Sequence, residues 1–136
     1  TVMGRIDDVI NVAGHRLSTG EMEGIVAAHP DVAECAVIGV PDQLKGQLPF
    51  GLVVLKDGAG RDPDELEAEL VALVRREIGA VACFRTARVV PRLPKTRSGK
   101  ILRKTLREIA EGREPEVPST IEDPAVLEEI APVVRG

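Results

Sequence analysis

The 136-residue sequence is almost without aromatic side chains: two Phe, no Trp and no Tyr, about 1% of the chain. Bases need flat side chains to stack on, so this deficit disfavours a single-strand nucleic-acid platform. Cysteine is just as scarce. Cys35 lies in an apolar run and Cys83 beside Phe84, a separation that matches neither metal-ligand spacing nor a disulfide scaffold. Both read as reduced packing residues, which fits a cytoplasmic, reducing compartment. The two histidines, His15 and His29, have no partner within sequence reach for a triad or a metal centre built on side chains. No apolar run approaches the length needed to cross a bilayer, and the opening TVMGRIDDVI has no signal-peptide layout, so no membrane is expected as a partner. The first apolar residues run straight from Thr1 into a motif, and the expectation is a fragment of a longer chain.

What is present is ordinary for a folded domain: 43% hydrophobic and 29% charged residues, enough for one core. The net charge of -4 conceals an asymmetry. Residues 1–84 carry 7 basic and 14 acidic side chains, 85–107 carry 9 and 0, and 108–136 carry 2 and 8. Nine cations without a counter-charge repel one another unless an acidic neighbour or an anionic ligand compensates. Either the stretch pairs with the acidic tail or it meets a polyanion. Pro91, Pro94 and Gly99 break any continuous recognition helix, so a phosphorylated small molecule fits better than nucleic acid, and no nucleic-acid partner is expected.

Val9 to Val12 and Arg16-Leu17 read as a short hairpin turning at Ala13-Gly14-His15. Ser18 to Glu21 has the form of a capping box, and Met22, Ile25 and Val26 recur at helical spacing, which predicts a helix from about Thr19 to Ala28, ended by His29-Pro30. Val32 to Val40 and Leu48 to Leu55 read as buried strands separated by the polar loop PDQLKGQ. Asp62-Pro63 opens a second helix with the stripe Leu66, Leu70, Leu73, Val74 and Ile78, closed by Gly79. Arg88 to Val90 is a short strand, PRLPKTRSGK a loop, and Leu102 to Ala110 a final helix. The expected fold is a small α+β domain, an N-terminal β-hairpin and a three-stranded sheet flanked by helices. Residues 1–8 precede the domain, with Asp7 and Asp8 reading as either a surface pair or a break between rigid bodies, 9–112 read as the domain itself, and 113–136 as an acidic, proline-rich tail docked by Ile121 and Val126 to Ile130.

Lys100 follows Thr96-Arg97-Ser98-Gly99, small and permissive residues that can present a long cation at a loop tip to a phosphate or a developing oxyanion. The loop is not a Walker A motif, which needs Gly where Pro94 stands and Ser or Thr where Ile101 stands. Taken alone, the Lys100 loop reads equally as a basic turn, and Gly14 with Arg16 as a hairpin corner. Arg75 and Arg76 sit in the last turn of the second helix, where cations are favoured in any case.

The ordered combination GRIDDVINVAGHR, VRREIG and LPKTRSGKILR resembles the C-terminal domain of adenylate-forming acyl-CoA synthetases, over nearly the whole chain. Within that family the stretches KGQLP, CFR at Cys83–Arg85 and STIEDP at Ser119–Pro124 look most like the short-chain acetyl-CoA and propionyl-CoA synthetases. The resemblance implies a ligase that uses ATP with Mg2+ to turn a short-chain carboxylate into an acyl-adenylate and then transfers the acyl group to CoA. It implies an N-terminal adenylation domain in the same chain as the main partner, and a fragment inactive by itself. Carried over by position, Lys100 is the adenylation lysine, Arg5 and Arg16 contact the nucleotide, and Asp7 is the hinge. Ala13 and Gly14 form the loop that enters the site during thioester formation, and Arg75 meets a CoA phosphate. Backbone carbonyls of Ala27, His29 and Val32 match a cation site. Lys100 also matches a lysine that acetylation switches off, so a lysine acetyltransferase and deacetylase are expected partners. Ala13 stands where Ser is frequent, and Ala80 where Pro is frequent. The alternative is a stand-alone, non-catalytic module that holds CoA, nucleotide or another polyanion through its basic stretch.

Overall fold

A computed structural model describes residues 9–56, 58, 60, 62–114 and 117–135, with nothing said of the Arg135 side chain. In chain order the elements are β1 (Val9–Val12), β2 (His15–Ser18), α1 (Thr19–Ala27), β3 (Val32–Asp42), β4 (Gly46–Leu55), α2 (Pro63–Glu77), a 3-10 turn (Ala80–Ala82), β5 (Ala87–Val89), α3 (Arg103–Ala110) and α4 (Ala125–Arg135). The α+β class stands. The sheet is larger than the three strands expected, because the N-terminal hairpin joins it rather than standing apart: five strands in the order β2-β1-β4-β3, with β5 parallel to β4. Val12 pairs with Gly46 at one end of β4, and Ala87 to Val89 pair with Gly51 to Val53 further along.

The central hairpin β3–β4 is also longer than its apolar runs. The loop residues Pro41, Asp42, Gly46 and Gln47 continue the ladder, so the turn shrinks to Gln43–Lys45, held by the Asp42 carboxylate accepting the Leu44 and Lys45 amides at 3.1 and 2.9 Å. Along β3, side chains alternate between two cores, as strand geometry requires. Cys35 and Val37 face Met22, Val26, Leu66, Leu70 and Val74 of α1 and α2. Ala36 and Ile38 face Leu106, Ile109, Val126 and Ile130 of α3 and α4. Helices therefore cover both faces of the sheet. Each fully buried Leu or Ile contributes on the order of 1.5–3 kcal/mol, so the stripes of α2 and α4 are what anchor those helices.

Helix limits follow local chemistry. Ser18 Oγ accepts the Glu21 amide at 3.1 Å, and Asp62 Oδ1 accepts the Asp64 amide at 3.1 Å with Pro63 just inside the helix. The segment read as a tail holds α4, whose Val126, Leu127, Ile130 and Val134 are buried. Arg92 fastens α4 by donating to Asp123 at 2.7 Å and to Glu129 at 2.6 and 3.2 Å. Both carboxylates are held below the ordinary range by hydrogen bonds from that guanidinium.

Two residues show why the layers fit closely. A Cβ on Gly39 of β3 would lie 2.4 Å from Ile10 Cγ2, so the buried Ile10 packs where a side chain on Gly39 would be. A Cβ on Gly24, on the outside of α1, would meet nothing within 4 Å. Gly39→Ala is therefore expected to lower unfolding free energy by about 1–3 kcal/mol through overpacking, and Gly24→Ala to raise it by about 0.5–1 kcal/mol, both read from urea unfolding. The Arg92 contacts give a pH signature. Because the folded-state carboxylates are depressed, their contribution is complete above the unfolded carboxylate pKa of about 4 and is lost as pH falls through the lower folded values. Urea unfolding from pH 5 down to pH 2 is expected to show a smaller loss of stability in Arg92→Ala than in the wild type.

Candidate functional site

The Lys100 loop is a small β-hairpin, not an irregular loop. Lys95 pairs with Ile101, the Thr96 amide donates to the Lys100 carbonyl at 2.9 Å, and the Gly99 amide donates to the Thr96 carbonyl at 2.9 Å. Gly99 has φ +93, the left-handed conformation that closes a three-residue hairpin loop of this kind. Thr96 Oγ1 accepts the Lys100 amide at 3.1 Å and lies 2.8 Å from Ser98 Oγ, so one hydroxyl braces the tip. The hairpin is tied down on both sides. The Glu122 amide donates to the Lys95 carbonyl and the Arg97 amide to the Thr120 carbonyl, and the Lys95 ammonium pairs with Glu34 on β3. Lys100 itself is exposed, and its ammonium has no carboxylate partner among the described residues. A rigid base thus carries an unpaired charge.

At the N-terminal hairpin the turn is two residues, Ala13-Gly14, with His15 already paired to Val12 in β2. Both turn residues have positive φ, +51 and +88, the combination that matches the twist of adjoining strands. Positive φ at a residue with a Cβ is uncommon, and here the Ala13 amide is held by the Lys45 carbonyl at 2.8 Å. Lys45 was not singled out from sequence, because a backbone carbonyl 32 positions away leaves no local signature. Arg16 is exposed on β2 opposite Asn11.

Arg75 lies at the C-terminal end of α2, on a groove of about 230 Å³ lined by Val71, Val74, Gly79, Cys83, Phe84 and Arg85. Arg85 was not assigned a role from sequence. Its signal, a cation in the tract CFR, becomes legible only when the 3-10 turn folds it back beside α2. Cys83 has φ +54. The other thiol, Cys35, is buried, and desolvation together with the nearby Glu23 carboxylate pushes it up to about 12, so both its burial and its protonation keep it unreactive.

The topology separates these groups. Ala13-Gly14 sits at the Lys45–Gly46 end of the sheet. The chain from Cys83 to Thr86 approaches β5 from that same end, since β5 runs parallel to β4, and α2 follows β4 back toward it. The Lys100 hairpin is anchored at the other end, through Glu34. Asp42 is eight residue steps along β3 from Glu34, about 26 Å at ~3.3 Å per step. Lys100 is therefore not brought together with Ala13, Gly14 or Arg75.

At the expected carbonyl cation site, the His29 carbonyl already accepts the Val32 amide at 3.1 Å. The imidazole is used as well. Its Nδ1 accepts the Asp31 amide at 3.1 Å, so Nε2 carries the proton and faces Glu69 Oε1 at 2.9 Å, joining α1 to α2. His29 thus lies just beyond the end of α1 as expected, but serves as a tie between helices. Asp31 is the one carboxylate within this turn, and no group of three or more His, Cys, Asp or Glu able to hold a metal occurs among the described residues. Arg5 and Asp7 lie outside the described residues.

The family model described as AMP-binding enzyme C-terminal domain matches residues 21–100, more than half of the chain. The chain belongs to that family. It is 57% identical over 129 residues to a Dictyostelium discoideum protein named acyl-CoA synthetase short-chain family member B, mitochondrial, covering 95% of this chain and 19% of that one. It is 51% identical over 129 residues to the acetyl-coenzyme A synthetase of Mycolicibacterium smegmatis, covering 95% of this chain and 14% of that one. Among solved structures, a Brucella canis acyl-CoA synthetase superposes with TM-score 0.69 at 40% identity, over 78% of this chain and 19% of that one. The chain spans about a fifth or less of these relatives.

No helix among the described residues is long and apolar enough to cross a membrane. For the AMP-binding C-terminal domain, the positive-φ glycines at the two hairpin tips offer a check that separates torsion from space, since a Cβ on Gly14 or Gly99 would meet nothing within 4 Å. Gly14→Ala and Gly99→Ala are each expected to cost about 1–2 kcal/mol from the left-handed backbone alone, measured by thermal unfolding.

Proposed function

We propose that this chain is the mobile C-terminal domain of an AMP-forming, short-chain acyl-CoA synthetase acting on propionate or acetate. In that reaction a carboxylate oxygen attacks the α-phosphorus of Mg2+-bound ATP and pyrophosphate leaves. The CoA thiol then attacks the acyl carbonyl, forming the thioester and releasing AMP. The observation that carries the reading is that the Lys100 hairpin is anchored at the Glu34 end of the sheet while Ala13-Gly14 sits at its Lys45–Gly46 end. A domain this size cannot present both ends to one small site at once. A rotation about Asp7 would deliver them in turn, a hinge motion of the kind that places large dihedral changes in few residues.

In the first orientation Lys100 stabilises charge on the carboxylate and the α-phosphate, and Arg5 and Arg16 hold the nucleotide. Its unpaired ammonium on a braced hairpin supports that role, because a pre-positioned cation needs no reorganisation when charge develops. In the second orientation Ala13 and Gly14, which carry one methyl between them, leave room for the pantetheine arm, and Arg75 meets a CoA phosphate. The exposure of Lys100 also supports its acetylation by a lysine acetyltransferase as a switch, reversed by a deacetylase, since acetylation removes the charge while leaving the hairpin in place. The two free thiols fit a cytoplasmic setting.

The test is Lys100→Ala in the full-length protein, with the half-reactions assayed apart. Pyrophosphate release from ATP and propionate is expected to fall by a factor on the order of 10²–10³, as for loss of one electrostatic donor. Thioester formation from supplied propionyl-adenylate and CoA should stay within about twofold of wild type, since the lysine acts only in the other orientation. Equal loss in both halves would overturn the division of labour.

A further inference from the structure

The groove at the end of α2 contains a second cation for which the carried-over roles have no use. Arg75 and Arg85 both line it, both are exposed, and neither has a carboxylate partner among the described residues. Their neighbour Arg76 differs: its Nε donates to Glu77 Oε2 at 3.4 Å, so that carboxylate is engaged outside the groove. The floor is apolar, made by Val71, Val74 and Phe84, and the opening at Gly79 carries no side chain to obstruct it. Phe84 is itself buried against Gly51, where a Cβ would come within 3.0 Å of its ring, so the segment bearing Arg85 is fixed by packing. Two guanidinium groups kept on one concave surface without a counter-charge repel each other until an anion arrives. Paired planar donors over an apolar floor suit a phosphorylated nucleotide, the donors taking phosphate oxygens.

Resting on the reading of Arg75 as a CoA-phosphate contact, we propose that Arg85 is a second phosphate-binding residue of this domain, closing with Arg75 on the nucleotide end of CoA in the thioester-forming orientation. Elsewhere in the basic stretch, Arg92, Lys95 and Arg103 are each paired with carboxylates of other elements. Arg85 is not, and it lines the same groove as Arg75.

The experiment uses the full-length protein with supplied propionyl-adenylate and compares two thiols, CoA and pantetheine, the second lacking every phosphate. Arg85→Ala is expected to raise KM for CoA about tenfold, to leave turnover of pantetheine within twofold of wild type, and to leave pyrophosphate release unchanged. Arg85→Lys should recover part of the loss. An unchanged KM for CoA in Arg85→Ala, or a parallel fall with pantetheine, overturns the assignment. Arg75→Ala, assayed alongside, separates the two layers of the argument. If Arg75→Ala raises KM for CoA and Arg85→Ala does not, only the role of Arg85 fails. If neither does, the groove does not bind CoA and the reading of Arg75 fails with it.

Discussion

The outer edge of β3 is the constraint on which the rest of the domain depends. β3 ends the sheet, so its outward amides have no strand to pair with, and an exposed edge of this length is a template for aggregation. Glu23 of α1 answers this directly. Its Oε2 accepts the Val37 amide at 3.1 Å and the Arg103 Nε at 2.8 Å, while its other oxygen meets the same guanidinium. One largely buried carboxylate thereby joins α1 on one face, the sheet edge, and α3 on the other. Removing either partner of such a pair leaves a charge in a site built to be neutral, and the loss is characteristically about 3–5 kcal/mol. Glu34, paired with Lys95, closes the same edge further along and seats the Lys100 hairpin against it.

That arrangement explains how a small domain keeps two sets of polar groups apart. The long β3–β4 ladder acts as a spacer: its turn end holds the Ala13 amide, and its far end holds the Lys100 hairpin. The basic stretch is divided in the same way. Arg92, Lys95 and Arg103 are consumed in joining α4, β3 and α1, so their charges hold the fold together. Arg85, Arg88, Arg97 and Lys100 remain exposed without carboxylate partners among the described residues. Pairing with acidic residues thus uses some side chains of the tract and leaves others exposed.

Strain falls where the function reading needs small residues. Ala13 tolerates φ +51 at the hairpin tip because its amide is held by Lys45 and its partner strands are in register. Gly99 adopts φ +93 beneath Lys100, where the three-residue loop must turn back on Thr96. Both tips project from regular ladders, which position a side chain more sharply than a free loop would.

Local chemistry was legible in the residues themselves. The Ser18 and Asp62 caps, the α2 stripe at helical spacing, and the buried apolar runs of β3 and β4 appear where capping and hydrophobic patterning place them, because each depends on residues close in sequence. The motifs around Gly14, Arg75 and Lys100 likewise pointed to the family. Other features were decided only in three dimensions. Pro132 and the acidic run obscured α4, whose helix is held by burial of Val126 and Ile130 and by Arg92 more than thirty positions away. The union of the hairpin with the sheet rests on Val12 and Gly46, and the pairing of Glu23 with Arg103 spans 80 positions. The shared groove of Arg75 and Arg85 belongs to the same class. Sequence periodicity reports which face of an element is apolar, whereas these contacts depend on which layers stack and in what register, and that is settled only when all the faces are buried together.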